Sequence, residues 1–205
     1  MQKKTVLFVL ISEYADWEPA LLAAGLRWGY GLWESTYSVK TVAVSHGQVT
    51  SIGGFTLIPD YTLETMPDEF AGVILVGGTD WHGEEARKVL PLVEKALARN
   101  AVLGAICDAA VFLAAHGFLN DIPHTFIGVS AMRDKTDSAY SGELLFKDQQ
   151  SVCSDNIITA KPTGYVEFAR DVMAALQVAD AEKLHKFYKL CKKGDCSILF
   201  GAGSN

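Results

Sequence analysis

The 205-residue chain contains no apolar stretch near the roughly 18–20 residues that a membrane span requires. After Met-Gln-Lys-Lys the first apolar run is only about seven residues long, which fits a strand and not a secretory leader. Cysteine is scarce too: four residues, at 107, 153, 191 and 196, form no CxxC pair and suggest no disulfide framework. The four-residue spacer between Cys191 and Cys196 holds no His or second Cys pair to complete a tetrahedral metal site, so no metal is expected. Basic runs are limited to Lys189 to Lys193, which reads as a solvated helix end, and the net charge of −6 argues against a nucleic-acid partner. These absences predict a cytoplasmic protein with reduced thiols and neither membrane nor nucleic acid among its partners.

What is present is the composition of a packed globular protein, 49% hydrophobic and 20% charged, with no low-complexity segment. The length suits one α/β domain with a sizeable core and is short for two. We place that domain at residues 1–178, with 179–205 as a helix and tail appended to it.

Thr5 to Ile11, Val73 to Val76, Val102 to Ile106 and Ile157 to Ala160 are short apolar runs without alternation, the pattern of strands buried on both faces. Ser38 to Val44 adds a further parallel strand. Val49 to Ile58, broken by Gly53-Gly54, reads as a hairpin. Between the strands, Trp17 to Trp33, Glu84 to Ala98, Ala109 to Ala115 and Gly164 to Leu176 carry apolar residues at helical spacing. The expectation is a mostly parallel sheet with helices on both faces.

In such a sheet, ligands gather outside the carboxyl ends of the strands. Three stations lie there. Glu18 opens the first helix, Gly77-Gly78-Thr79-Asp80-Trp81 follows the run ending at Val76, and Cys107 follows Ile106 directly. On the turn into a helix, Cys107 faces free N–H groups and positive potential, which lower a thiol pKa and provide donors for an oxyanion. The competing reading is a small buried core residue.

The stations Asp16-Trp17-Glu18, Leu75-Val76-Gly77-Gly78 and Ala105-Ile106-Cys107 resemble those of the ThiJ/PfpI superfamily, over about residues 4 to 178. Ser51-Ile52-Gly53-Gly54-Phe55 and the His124-Thr125 pair make the chain most similar to its bacterial YdeA-type branch. The resemblance implies a flavodoxin-like three-layer sandwich with a nucleophile elbow, no cofactor, and a homodimer. It also implies a protonated Glu18 that donates to the Cys107 thiolate, and an oxyanion hole from the Gly78 and Asp108 N–H groups. A carboxyl desolvated beside an anion does have a raised pKa. The competing readings are a helix-dipole residue for Glu18, and an ordinary turn and helix cap for the two N–H groups. Gly77 and Trp81 are placed at the pocket, Trp81 either lining it or packing on it.

The chain departs from its relatives at the general base. PfpI-like proteases carry His directly after the cysteine, where this chain has Asp108, and glutamine amidotransferases carry His two residues before a late Glu, where this chain has Tyr165 before Glu167. His124, expected on a strand beyond the cysteine helix, remains as base, pocket wall or hydrogen-bonded structural residue. His46, His82, His116 and His185 have weaker claims, and of these only His82 follows a strand end closely enough to reach the mouth.

Two functional readings follow. One is a cysteine hydrolase or amidase, protease-like or glyoxalase- and deglycase-like, in which Cys107 attacks a small carbonyl substrate. The other is a redox or stress protein that senses an oxidant through Cys107 sulfinate.

Overall fold

The computed structural model describes residues 3–132 and 138–199. Its strands are β1 (Lys4–Leu10), β2 (Tyr37–Ala43), β3 (Val49–Thr50), β4 (Thr56–Leu57), β5 (Tyr61–Thr62), β6 (Gly72–Leu75), β7 (Val102–Ile106), β8 (Ser151–Ser154) and β9 (Ile157–Ala160). The helices are α1 (Trp17–Trp28), α2 (Glu84–Arg87), α3 (Leu90–Ala98), α4 (Asp108–Ala115), α5 (Tyr165–Ala175) and α6 (Ala181–Lys193). Seven strands form one sheet in the order β5-β2-β1-β6-β7-β9-β8. All pairings are parallel except β8 with β9. The hairpin expected around Gly53-Gly54 is β3 and β4, paired antiparallel outside the sheet.

Alternation along the buried strands divides the core in two. Val6, Phe8 and Leu10 of β1 join Ile106 of β7 against α1, α5 and α6, while Val9 joins Leu103 and Ala105 against α3 and α4. The architecture is the flavodoxin-like three-layer sandwich. Helix α4 is apolar all round, and Ala109 through Ala114 are all buried, as a helix without a polar face must be. Among the described residues no helix is long and apolar enough to cross a membrane.

Four local differences from the sequence expectation have physical causes. Helix α1 stops at Trp28 and not Trp33, because Gly29 takes a left-handed φ of 72° and its N–H caps the last turn. The helix expected over 84–98 is broken between Arg87 and Leu90; Pro91 near the start of α3 has no N–H to continue the helix, and its ring would meet the carbonyl four residues back. Edge strands β5 and β8 are too short or too polar to show as apolar runs. The strand expected at His124 is absent: the residue makes a single isolated bridge to Phe146.

The carboxyl-terminal helix α6 packs into the core. Asp180 caps it by accepting from the Lys183 N–H at 2.9 Å, and Leu184 and Phe187 are buried in the cluster that contains α1 and α5. The Phe187 ring meets Tyr30 and Trp33 edge-on. On the rim, Glu167 of α5 accepts from the Tyr188 hydroxyl at 2.9 Å and pairs with Lys192 at 3.2 Å. Phe187→Ala is therefore expected to destabilise the whole domain by about 3–5 kcal/mol, read as a lower urea midpoint in one cooperative transition. An unchanged midpoint would show that α6 is a separable appendage.

Candidate active site

The parallel register brings the three stations level. Leu75 of β6 pairs with Ala105 of β7, and Val9 of β1 with Leu75, so Gly77 and Cys107 leave adjacent strand ends at the same height. Cys107 then turns sharply into α4. Its backbone sits at φ 60°, ψ −131°, outside the regions an L-residue favours, at a strain of about 1–3 kcal/mol. The turn is held on both sides: the Cys107 N–H donates to the Ala160 carbonyl at 3.0 Å, and its own carbonyl accepts from Ala110 at 3.0 Å. The thiol is half-buried, with the Asp108 N–H as a hydrogen-bond donor to it.

Glu18 is completely buried. Its Oε2 accepts from the Gly77 N–H at 2.8 Å, and the carboxyl and the Cys107 side chain lie side by side against Gly77. Oε1 is buried without a hydrogen-bond partner among the described residues. Burial raises the Glu18 pKa to about 7. Burial also pushes the Cys107 thiol up to about 12; the Glu18 charge adds to this and the Asp108 N–H opposes it. The expectation that the helix start lowers this thiol's pKa is thus corrected, because desolvation and a neighbouring carboxylate outweigh the helix N–H. The two groups form a coupled pair in which a proton on Glu18 removes the charge that holds the thiol neutral.

The two glycines are required by close approach. A Cβ at Gly77 would lie 2.4 Å from Glu18 Oε2 and 2.5 Å from Cys107 Cβ, and one at Gly78 would lie 2.4 Å from the Glu13 carbonyl oxygen. Gly78 faces Tyr14 in an antiparallel bridge whose hydrogen bonds are made by their neighbours, Ala15 to Gly77 at 2.9 Å and Thr79 to Glu13 at 3.2 Å. This pairing leaves the Gly78 N–H unused. Asp108 is the first residue of α4, whose N–H likewise has no partner within the helix.

Trp81 is buried, donates its indole N–H to the Val76 carbonyl at 2.7 Å and packs on Phe112, so it braces the loop after β6. His124 is also buried, among the rings of Phe126, Tyr140 and Phe146. Its Nδ1 lies 2.7 Å from the Ile122 carbonyl and its Nε2 2.8 Å from the Tyr140 hydroxyl, and the ring stacks on Phe126. Since a carbonyl only accepts, Nδ1 carries the proton and Nε2 accepts from Tyr140. Burial lowers the His124 pKa and keeps the ring neutral. The histidine that the structure does bring to the mouth is His82, whose Nε2 lies 3.3 Å from Asp108 Oδ2.

Sequence reasoning missed the strained Cys107 backbone and the contact that joins two quoted motifs. Asp16 does not cap α1. Its Oδ2 instead accepts from the Gly53 N–H at 2.8 Å and ties the hairpin loop to the helix that carries Glu18. An Asp at a helix start and a Gly-Gly turn were the available signals, but nothing in one sequence links them.

A family model described as the DJ-1/PfpI family matches residues 4–175. The chain belongs to the DJ-1/PfpI family. It is 32% identical over 198 residues to a Bacillus subtilis protein named uncharacterized protease YdeA, covering 93% of this chain and 96% of that one. A second Bacillus subtilis protein, uncharacterized protease YoaZ, is 31% identical over 94% of this chain and 92% of its own length. Among solved structures, a thiJ/pfpI family protein from Bacillus anthracis superposes with a TM-score of 0.88 at 29% identity, covering 98% of this chain and 95% of that chain. Within this DJ-1/PfpI chain, the matched region holds Glu18, Gly77, Gly78, Cys107 and Asp108 together, while α6 lies beyond it.

Two predictions follow from this geometry. Because the Glu18 pKa rises from 4.5 to about 7 on folding, the native state binds the extra proton, and the associated stability is lost as pH climbs through 7. Glu18→Gln is expected to match wild type near pH 5 and to exceed it by about 2–3 kcal/mol at pH 8–9 in urea unfolding. A constant difference across that range would place the carboxyl in water. His124→Ala is expected to lose about 2–4 kcal/mol of stability, since it opens the aromatic cluster and strands the Tyr140 hydroxyl, while the pH profile of Cys107 alkylation stays at wild type. A displaced alkylation profile would return His124 to the site.

Proposed function

We propose that this protein is an enzyme in which Cys107 attacks the carbonyl carbon of a small substrate, with Glu18 as the group that takes and returns the proton. The observation that carries this reading is the buried Glu18 carboxyl, brought to a pKa of about 7 and set beside the Cys107 side chain. A carboxyl that titrates near neutrality can act in both directions. As a carboxylate it accepts the thiol proton. The sulfur then forms a bond to carbon, and the carbonyl π pair moves to oxygen, which the N–H groups of Gly78 and Asp108 stabilise in this reading.

Protonated Glu18 next gives its proton to that oxygen, yielding a hemithioacetal from an aldehyde or ketone. With an amide it gives the proton to the departing amine instead, and water hydrolyses the resulting thioester. The DJ-1/PfpI family and relatives named as proteases support a hydrolytic or carbonyl-converting chemistry. We extend the reading to a homodimer in the cytosol, where four unpaired thiols persist.

One observation favours a second reading. Both ring nitrogens of His124 are engaged elsewhere, and oxidant sensing needs no proton shuttle beyond Glu18. Here peroxide would oxidise the thiolate to sulfenate and then sulfinate, each step releasing water, with the Glu18 proton and the Asp108 N–H holding the product.

Turnover of methylglyoxal and of a small amide, measured beside intact mass after graded peroxide, separates the readings. The enzyme reading predicts turnover that is abolished in Cys107→Ser and lowered by roughly 10²–10⁴ in Glu18→Gln. Stable Cys107 sulfinate with no turnover of either compound would favour the sensor.

A further inference from the structure

We propose that His82 is a positioning residue for Cys107: it holds the Asp108 carboxylate and offsets that negative charge beside the sulfur. The inference rests on the reading of Cys107 as the reactive thiol and adds the element that regulates its ionisation. Asp108 is an awkward successor to a nucleophile. Its backbone N–H favours the thiolate, yet its side-chain charge opposes the ionisation of both Cys107 and Glu18. A carboxylate here suits the helix start and hinders the chemistry.

The structure places a compensating group against it. His82 Nε2 lies 3.3 Å from Asp108 Oδ2, and both side chains are partly exposed. His82 leaves the loop after β6, the loop that also carries Gly77 and Gly78, so its position is fixed by the same strand end that builds the site. His82 also lines a cavity of about 560 Å³ at the carboxyl ends of β1 and β2. The pair is thus reachable from solvent, whereas the Glu18 carboxyl behind it is completely buried.

The charged and titratable groups around this pair come from several elements. Glu18 of α1 and the Cys107 thiol face it from within, and Asp80, Glu84, Glu85 and His46 line the cavity with His82. Glu84 and Glu85 are partnered by Arg87 at 3.8 Å and Lys88 at 2.5 Å. Histidine is ordinarily the side chain whose charge changes between pH 5 and 8, and two histidines, His82 and His46, line this cavity. Of these, His82 contacts Asp108.

The rate at which iodoacetamide alkylates Cys107 reads this charge directly: the thiolate forms the S–C bond and iodide leaves, so below its pKa the rate follows the thiolate fraction. The measurement is peptide mapping from pH 6 to 9 on the full chain and on His82→Gln, His82→Asn, Asp108→Asn, His46→Gln and the His82→Gln/Asp108→Asn double variant. His82→Gln and His82→Asn should slow Cys107 by roughly 3- to 10-fold at pH 6, converging on wild type at pH 9, and Asp108→Asn should speed it by a similar factor. In the Asp108→Asn background the His82 substitution should change nothing, and His46→Gln should leave the wild-type profile. Equal slowing with and without the Asp108 carboxylate, or a wild-type profile in both His82 variants, overturns the proposal. Because alkylation needs no substrate, a protein that turns over neither methylglyoxal nor amide but shows this coupling sinks the enzyme reading and retains His82.

Discussion

The site depends on strand register. Three parallel strands, β1, β6 and β7, end at the same level in the middle of the sheet, and each end delivers one component: Glu18 through the loop after β1, Gly77 and Gly78 directly after β6, and Cys107 directly after β7. A shift of one residue in any pairing would turn the strand's side chains to the other face and separate these groups. Apolar side chains on both faces of the sheet resist such slippage, so the packing that stabilises the domain also sets the distance between carboxyl and thiol.

Burial gives that contact its chemistry. In water a glutamate would be fully ionised at neutral pH and a thiol largely protonated, with little exchange between them. Enclosing both behind α1 and α4 raises each pKa, the carboxyl to about 7, and makes the state of one depend on the state of the other. The backbone strain at Cys107 belongs to the same arrangement, since only that sharp turn lets the sulfur leave the strand and face Glu18 while the next N–H still points at it.

The sheet order's central strands, the hairpin and most helices were legible in the sequence, because buried parallel strands appear as unbroken apolar runs and surface helices as a 3.6-residue period. Elements of two or four residues on the sheet edge left no such pattern, as β5 and β8 show. Glu18, Gly77, Gly78, Cys107 and Asp108 could be nominated from their places after strands. Their pKa values could not, because a sequence places Cys107 at a helix start but does not tell how much water reaches it. His124 illustrates the same limit: a histidine after the cysteine helix is equally compatible with a site and with an aromatic cluster, and only the partners of its two nitrogens distinguish them. The Asp108–His82 contact spans 26 residues and carries no periodicity that could reveal it.

The absence of side chains at Gly77 and Gly78 has a bearing on how such a site can diversify. Backbone, carboxyl and thiol meet there without room for an added methyl group. The candidate site is therefore a nearly incompressible block, and the open ground lies beside it, in the cavity lined by Ser45, His46, Gln48, Thr79, Asp80 and His82. In a site built this way the surroundings can change shape while the block itself cannot.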